Sequence, residues 1–356
     1  MKKSILTFAV LVLFFSCSNK KPEITTKLVI DGLGVNDKSY NAAAWDGVLS
    51  FYGDTVGEET GFGTLYDVVI MNNTSQLVSD LKALAFQKTD VLVMAGSAFS
   101  EALKTVVPIF YEEKFITIDT ESIPCANVQN YGFASEEGSY LVGALIAMKA
   151  QDQNIVDPVF GFIGGISGDT VADFECGYIQ GIRSVLPDAK IYDHYVESWN
   201  RPDLASQKAG EWYDSGVYAI YSVAGLTGSG TIAQAVRLRK AGKNVWAIGV
   251  DRDQFEEGIY GSGQSAVLTS MVKRVDRAVY AALKSVQNEK FKGGSRTLSL
   301  KDGAVGYTKT NPELGEAIIK ITNQIQGKIV QGKISVNSTR KNRIEAEKLL
   351  KSVIHE

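Results

Sequence analysis

The segment 37–47, which reads Asp-Lys-Ser-Tyr-Asn-Ala-Ala-Ala-Trp-Asp-Gly, carries side chains that can bind a small polar ligand. The carboxylate of Asp37 accepts hydrogen bonds, the amide of Asn41 both donates and accepts them, and the ring of Tyr40 offers a flat face for stacking. The same residues also suit a helix start, with Asp37 and Ser39 as caps and Tyr40 packed against the core. Taken alone, the segment favours this structural interpretation.

The elements around this segment predict where its side chains lie. Residues 27–31 form an apolar run typical of a strand, glycines follow it, and apolar residues at helical spacing begin at Tyr40. In an open parallel sheet, ligands bind in the crevice outside the carboxyl ends of the strands. One wall of that crevice is therefore predicted to contain Asp31, Asp37, Tyr40 and Asn41.

Strand patterns alternate with amphipathic helix patterns along the chain. The alternation predicts right-handed βαβ units and parallel sheets, and so many units favour two similar lobes over one sheet. The predicted strands are 27–31, 67–71, 91–94, 115–119, 159–164, 191–195, 219–223, 245–251 and 267–271. The predicted helices are 76–87, 99–107, 140–150, 172–186, 204–215, 232–241 and 275–287.

Composition limits the possible functions. The chain has 356 residues, of which 45% are hydrophobic and 22% charged, as in an ordinary globular protein long enough for two domains. A net charge of −3 gives no reason to expect nucleic acid binding. Cys17, Cys125 and Cys176 form no metal-spaced pair, and His194 and His355 leave little room for a His-ligated metal or a His-based triad. We expect no metal and no cofactor, and leave the pairing of Cys125 with Cys176 open.

The first residues are typical of a secretory signal. Two lysines precede an apolar run at 5–15, which is followed by Ser16 and Cys17. The run is shorter than the length that a helix needs to span a bilayer. This ending resembles a bacterial lipobox, in which the peptidase cuts before Cys17 and the thiol carries diacylglycerol. We therefore predict a signal peptide at 1–17, a polar tether at 18–26, and a mature protein anchored by lipid to the cell membrane, facing the periplasm or exterior. The alternative is an ordinary signal peptide with an incidental cysteine.

Several motifs in one order resemble the basic membrane protein family, substrate-binding lipoproteins of ABC importers whose studied members bind purine nucleosides. Asp-Lys-Ser-Tyr-Asn followed by Ala-Trp-Asp-Gly resembles the family signature, in which Phe usually takes the place of Tyr40. Five further positions match the family pattern. They are Asp119 at a strand end, Trp199 in Glu-Ser-Trp-Asn-Arg-Pro, Gly225 in a glycine-rich turn, Asp251 in Gly-Val-Asp-Arg-Asp-Gln, and Lys273 in Thr-Ser-Met-Val-Lys-Arg-Val-Asp.

The resemblance implies a two-lobed α/β fold of the type I periplasmic-binding-protein class. Each lobe would be a parallel sheet flanked by helices, with the ligand in the cleft between them. The chain would cross between lobes three times, so that residues 27–131 plus 266–287 form the first lobe and residues 132–265 plus 288–356 the second. Strands at 297–300 and 305–307 would then both belong to the second lobe.

The resemblance also implies a binding protein without catalysis. Its partners would be a purine nucleoside (inosine, guanosine or adenosine) and an ABC permease in the membrane, to which hinge closure would deliver the ligand. Tyr40 and Trp199 would sandwich the base, and Asp251 and Lys273 would bind the ribose. The base edge would meet Asp31, Asp119 and Asn41, while the glycines near Gly225 allow the backbone to approach the ligand closely.

Other functions stay open at this point. An enzyme acting on nucleosides would need an activated nucleophile or a metal, and Asp31 with Asp37 is the only acidic pair near the first motif. The glycine-rich segments 161–168 and 225–230 spell neither a dinucleotide-binding nor a P-loop motif. A binding protein or sensor for another small ligand, such as a sugar, and an adhesive lipoprotein are the remaining alternatives.

Overall fold

The computed structural model describes residues 23–32 and 34–356. The strands are β1 (Thr26–Asp31), β2 (Tyr66–Met71), β3 (Val91–Ala95), β4 (Phe115–Ile118), β5 (Val128–Phe133), β6 (Val159–Gly164), β7 (Lys190–Tyr195), β8 (Val217–Val223), β9 (Trp246–Asp251), β10 (Ile259–Gly261), β11 (Gln264–Ser265), β12 (Val267–Lys273), β13 (Gly294–Leu298), β14 (Val305–Tyr307) and β15 (Ile354–His355). The helices are α1 (Tyr40–Tyr52), α2 (Leu77–Ala85), α3 (Ser100–Val106), α4 (Ser135–Asp152), α5 (Asp169–Val185), α6 (Pro202–Asp214), α7 (Gly228–Lys240), α8 (Val275–Gln287), α9 (Glu316–Val330) and α10 (Arg343–Leu350).

Two sheets divide the protein into two lobes. The first is six-stranded and parallel, in the order β13-β5-β4-β3-β1-β2, and we call it with its helices the first lobe. The second is seven-stranded, in the order β14-β12-β9-β8-β6-β7-β15, and all its pairs are parallel except β12 with β14. The predicted two-lobed α/β architecture is confirmed.

Strands buried on both faces explain why the sequence shows continuous apolar runs instead of alternation. In β1, Leu28 and Ile30 join the core cluster that contains Trp45 of α1, whereas Val29 joins a separate cluster with Leu81 of α2. Successive side chains of a strand point to opposite faces, so each face needs its own helical layer. The strand ends are thereby held in fixed positions at the edge of each sheet.

The chain crosses between lobes three times, and two strands lie in the opposite lobe from the one predicted. β12 was expected in the first lobe but pairs with β9 in the second sheet, and β13 was expected in the second but pairs with β5 in the first. The crossings therefore follow β5, β12 and β13. Backbone pairing is nearly independent of side chains, so a short polar strand such as β13, Gly-Ser-Arg-Thr-Leu, carries little local information about its sheet.

Some N-terminal predictions lie outside the described residues. They are the signal peptide at 1–17 with Cys17 and most of the tether; β1 begins at Thr26, the last residue of the predicted tether. Across residues 23–32 and 34–356, none of the helices combines the length and apolar character that a bilayer crossing requires. Cys125 and Cys176 are free thiols, which answers the question of their pairing.

Candidate ligand-binding site

One cavity between the lobes brings together every ligand-binding residue predicted from the sequence. Its lining includes Asp31, Asp37, Tyr40, Asn41, Asp119, Trp199, Gly225, Asp251 and Lys273. Further lining residues were not predicted: Gly96, Ser97 and Ala98 after β3, Thr170, Val171 and Phe174 on α5, and Val223 and Ala224 at the end of β8. The position of Gly96 beyond a predicted strand was a usable signal for the first group. Phe174 had no such signal, because an aromatic residue on an amphipathic helix is normally predicted to pack in the hydrophobic core.

Asp37 caps helix α1. Its Oδ1 accepts hydrogen bonds from the backbone N–H groups of Ser39 (3.0 Å) and Ala42 (2.9 Å), and its Oδ2 accepts one from that of Asn41 (2.9 Å). Burial raises the pKa of Asp37, while these three amides act in the opposite direction. The structural interpretation of this residue is therefore correct, and both of its oxygens are already bonded within the first lobe.

The other predicted residues of the first lobe are held in place by short-range bonds. The side-chain amide of Asn41 donates to Oδ1 of Asp31 over 3.0 Å, which joins the start of α1 to the end of β1. The hydroxyl of Tyr40 donates to the carbonyl oxygen of Ile118 over 3.1 Å, so the ring is fixed against the end of β4. A ring held at its hydroxyl presents its faces with little loss of freedom on binding.

Asp119 and Asp251 occupy equivalent positions in the two lobes. Each follows or ends a parallel strand, and each has a left-handed backbone, with φ of 56° and 65°. Aspartate tolerates this conformation better than most residues, and such local strain is concentrated at functional sites. The two carboxylates thereby face the cavity from opposite sheets.

A buried ion pair links the lobes at the cavity. Nζ of Lys273, at the end of β12, contacts Oδ2 of Asp119, and the two side chains are only 2% and 5% exposed. The ammonium group also lies 5.0 Å from the ring centre of Tyr40, 5.1 Å from that of Phe133 and 5.3 Å from that of Phe174. The three aromatic rings and the carboxylate together offset the free energy that the ammonium group of Lys273 loses when it is removed from water.

Further contacts between the lobes surround this pair. The hydroxyl of Ser39 donates to Oδ2 of Asp251 over 2.6 Å, within the buried region. At the rim, Arg252 pairs with Asp46 at 3.0 Å. Because these bonds join segments of different lobes, they hold the two lobes together at the cavity.

Carboxylates dominate the charge of the site. Asp31, Asp37, Asp119 and Asp251 line the cavity together with a single cation, Lys273. Burial raises the pKa of Asp251 to about 6, with Asp37 and Asp119 adding to the rise and Lys273 and Ser39 opposing it. Such a site attracts ligands rich in hydrogen-bond donors and repels phosphorylated ones.

Trp199 enters the cavity from the second lobe. Its ring packs directly over Gly165, where an added Cβ would lie 2.2 Å from Cζ3 of the indole. The backbone N–H of Thr227 donates to the carbonyl oxygen of Trp199 over 3.0 Å, next to the turn that contains Gly225 (φ 56°). Tyr40 and Trp199 therefore line the same cavity from opposite lobes. Within the described chain, His, Cys, Asp and Glu side chains form no group of three or more that could hold a metal ion.

Comparison with known proteins assigns this architecture. Residues 24–340 match the family model of PnrA-like ABC transporter substrate-binding proteins, also called Bmp. The chain belongs to this family. Its resemblance to basic membrane proteins is thereby confirmed, and the family consists of solute-binding proteins that act outside the cytoplasm with a membrane permease.

Individual relatives of this Bmp family protein cover most of its length. The ABC transporter nucleoside-binding protein BmpA of Lactococcus lactis is 31% identical over 331 residues, which span 89% of this chain and 90% of the relative. The CD4+ T-cell-stimulating antigen of Listeria monocytogenes is 30% identical over 321 residues, or 88% of each chain. The crystal structure of an ABC transporter solute-binding protein from Aeropyrum pernix superposes with a TM-score of 0.79 at 23% identity, covering 92% of this chain and 96% of that one.

Proposed function

We propose that this substrate-binding protein captures purine nucleosides in the cavity between its lobes and delivers them to an ABC permease. The observation that carries the proposal is the combination of an acceptor-rich cavity, aromatic rings from both lobes and direct bonds between the lobes at its wall. Tyr40 and Trp199 supply the rings, and Ser39–Asp251 and Asp119–Lys273 supply the bonds. The nucleoside-binding relative from Lactococcus lactis supports the same ligand class.

The base would lie between the rings of Tyr40 and Trp199. Stacking of a base on an aromatic side chain contributes about 1–3 kcal/mol, so two rings supply much of a micromolar affinity. Asp31, Asn41 and Asp119 would meet the polar edge of the base, where their oxygens accept hydrogen bonds from ring and amino N–H groups. A purine presents a larger face to both rings than a pyrimidine and would bind more tightly.

The ribose would lie against Asp251 and Lys273. The hydroxyl of Ser39 bonds to Oδ2 of Asp251, so Oδ1 of the same carboxylate would be the acceptor for ribose hydroxyls. Lys273 would donate to a ribose oxygen while keeping its contact with Asp119. The carboxylates in the cavity would oppose a 5′-phosphate, so nucleosides would be preferred to nucleotides.

Delivery would depend on opening and closing about the three crossings. Closure hides the ligand from water, which strengthens every polar contact in the cavity, and gives the permease a shape that differs from the empty receptor. A diacylglycerol group on Cys17 would keep the receptor at the cell membrane, on the periplasmic or external side, because several acyl chains together bind a bilayer stably.

Calorimetric titration tests the ligand class. The chain without residues 1–17 would be unfolded and refolded to remove bound ligand, then titrated with inosine, guanosine, adenosine, cytidine and ribose. We expect tight binding of the purine nucleosides and weak binding of cytidine and ribose. Affinities no tighter than about millimolar, equivalent to ~4 kcal/mol, for all the nucleosides would overturn the proposal. Preferential binding of ribose would instead assign a sugar ligand.

A further inference from the structure

Three large apolar side chains are exposed together at one end of the first lobe. Phe86 is 74% exposed, Ile109 53% and Tyr111 73%. All three line one shallow concavity, which is formed by the residues just after the C-terminal ends of α2 and α3. The ring of Phe86 meets that of Phe110 edge-on, with centroids 4.9 Å apart. Soluble proteins rarely cluster exposed apolar groups in this way unless the surface binds something. We call Phe86, Ile109 and Tyr111 the apolar patch.

The backbone that presents the apolar patch is held firmly. The side-chain amide of Asn127 lies within hydrogen-bond distance of the carbonyl oxygens of Val107 (3.4 Å), Phe110 (3.0 Å) and Glu113 (3.1 Å). These contacts fix the segment that carries Ile109 and Tyr111. A rigid segment loses little conformational freedom when its side chains become buried in a partner.

The N-terminal segment enters the fold at the same end of the lobe. The backbone N–H of Thr25 donates to Oδ2 of Asp90 over 2.7 Å, and that of Val91 donates to the carbonyl oxygen of Thr25 over 3.2 Å. Asp90 lies four residues beyond Phe86 in the sequence. The candidate ligand cavity lies at the other end of β3, where Gly96 follows the strand.

We propose that the apolar patch contacts the lipid bilayer and orients the receptor on the membrane; this inference depends on the proposed lipid anchor at Cys17. Thr25 lies eight positions beyond Cys17, a distance of at most about 29 Å when the chain is fully extended. The anchor therefore keeps this end of the first lobe close to the bilayer. Aromatic and aliphatic side chains at such a surface insert at the level of the lipid headgroups.

Charges around the apolar patch indicate the kind of lipid surface. Lys88 and Lys114 lie beside Glu112 and Glu113, and burial raises the pKa of Glu113 while both lysines oppose that rise. Asp90 adds a third carboxylate near Glu113, so the two lysines are outnumbered and do not select an anionic surface. The contact is therefore apolar in origin, and it forms on zwitterionic phosphatidylcholine.

Lipid-dependent fluorescence quenching tests the orientation. The full acylated chain, with Cys125→Ser as background, would carry a fluorophore at Tyr111→Cys and be reconstituted into phosphatidylcholine vesicles containing a nitroxide-labelled lipid. The matched control is Val156→Cys, an 85% exposed apolar residue before β6 in the second lobe. We expect roughly twofold or stronger quenching at position 111 and little at position 156. Adding Phe86→Ser and Ile109→Ser is expected to reduce the quenching at position 111.

Each other result overturns the inference. Equal quenching at both positions shows no preferred face, and quenching that is weak at position 111 shows that the apolar patch stays in water. Self-association abolished by Phe86→Ser and Ile109→Ser would assign the apolar patch to a second copy of the chain instead. Mass analysis showing an unmodified Cys17 would remove the anchor on which the inference depends. Nucleoside titration of the same samples tests the proposed function independently, because these substitutions lie at the end of β3 that is remote from the ligand cavity.

Discussion

The hydroxyl of Ser39 donates a hydrogen bond of 2.6 Å to Oδ2 of Asp251, joining residues that are 212 positions apart in the chain. Ser39 precedes the first helix of the first lobe, and Asp251 ends a strand of the second. The bond forms at the wall of the cavity, beside the Asp119–Lys273 ion pair. Under the proposed function, ligand recognition and lobe closure would share residues, and substitutions at these positions would affect both.

Replacing Asp251 by Asn is expected to weaken inosine binding by roughly 10- to 100-fold. The amide keeps the shape of the side chain but loses a charged acceptor, and a hydrogen bond to a charged group contributes about 1.5–3 kcal/mol. Calorimetric titration measures the change. Asp253→Asn is the matched control, since that carboxylate is exposed and bonds to Thr310 outside the cavity. Equal losses in both variants would contradict the role of Asp251.

Inosine affinity is expected to fall when the pH is lowered through about 6, the value to which burial raises the pKa of Asp251. Protonation removes the negative acceptor that the ribose hydroxyls would use. Titrations across this range test the effect, and the profile of Asp251→Asn should be flatter. An unchanged slope in the variant would show that another group controls the pH dependence.

The contribution of Asp251 to folding stability should change with pH in the opposite direction to inosine affinity. Its pKa is about 6 in the folded protein against an ordinary value of 3.8, so the folded state binds more protons between these values. The contribution of Asp251 to the free energy of unfolding therefore decreases as the pH rises through this window. Urea unfolding of the protein and of Asp251→Asn at several pH values isolates this contribution, and a difference that grows with rising pH in favour of the unsubstituted protein would contradict it.

Substituting Lys273 by Met is expected to lower the free energy of unfolding by roughly 3–5 kcal/mol, because it leaves the buried carboxylate of Asp119 unpaired. Urea unfolding measures this loss. The matched control is Lys348→Met, which breaks an exposed pair with Glu345 at 2.7 Å and should cost at most about 1 kcal/mol. Adding Asp119→Asn to Lys273→Met should restore part of the stability but not nucleoside binding. Similar losses for the two lysine variants would refute a structural role for the buried pair.

Gly165→Ala is expected to weaken purine nucleoside binding by about tenfold, which corresponds to part of the ~1–3 kcal/mol of one stacking contact. The new Cβ would lie 2.2 Å from the indole of Trp199, so the ring must move. Gly306→Ala provides the control, since nothing lies within 4 Å of the Cβ added there. Calorimetry with inosine compares the two. Unchanged affinity in Gly165→Ala would show that the position of Trp199 does not matter for binding.

The sequence determined much of the site because strand ends carry local signals. Asp31, Asp119 and Asp251 each stand where an apolar run stops, and parallel strands bring such positions to one edge of the sheet. The motif around Tyr40 and Asn41 also predicted a helix start next to that edge, and α1 begins at Tyr40. These are short-range features, set by strand and helix patterns within a few residues.

Only the tertiary structure decided which residues meet across the cleft. β12 was predicted in the first lobe but belongs to the second sheet. Lys273, at the end of β12, therefore reaches across the cleft to Asp119 of the first lobe. Likewise, Asp37 bonds to three amides of its own lobe, while Ser39 beside it reaches Asp251. Such choices depend on the order in which strands pair, and backbone pairing leaves little trace in local side-chain patterns. The chain by itself therefore determined its family, its two-lobed architecture and the residues of its cavity, whereas the pairing of strands and the packing of the lobes decided which segments form each lobe and how the cavity residues are paired.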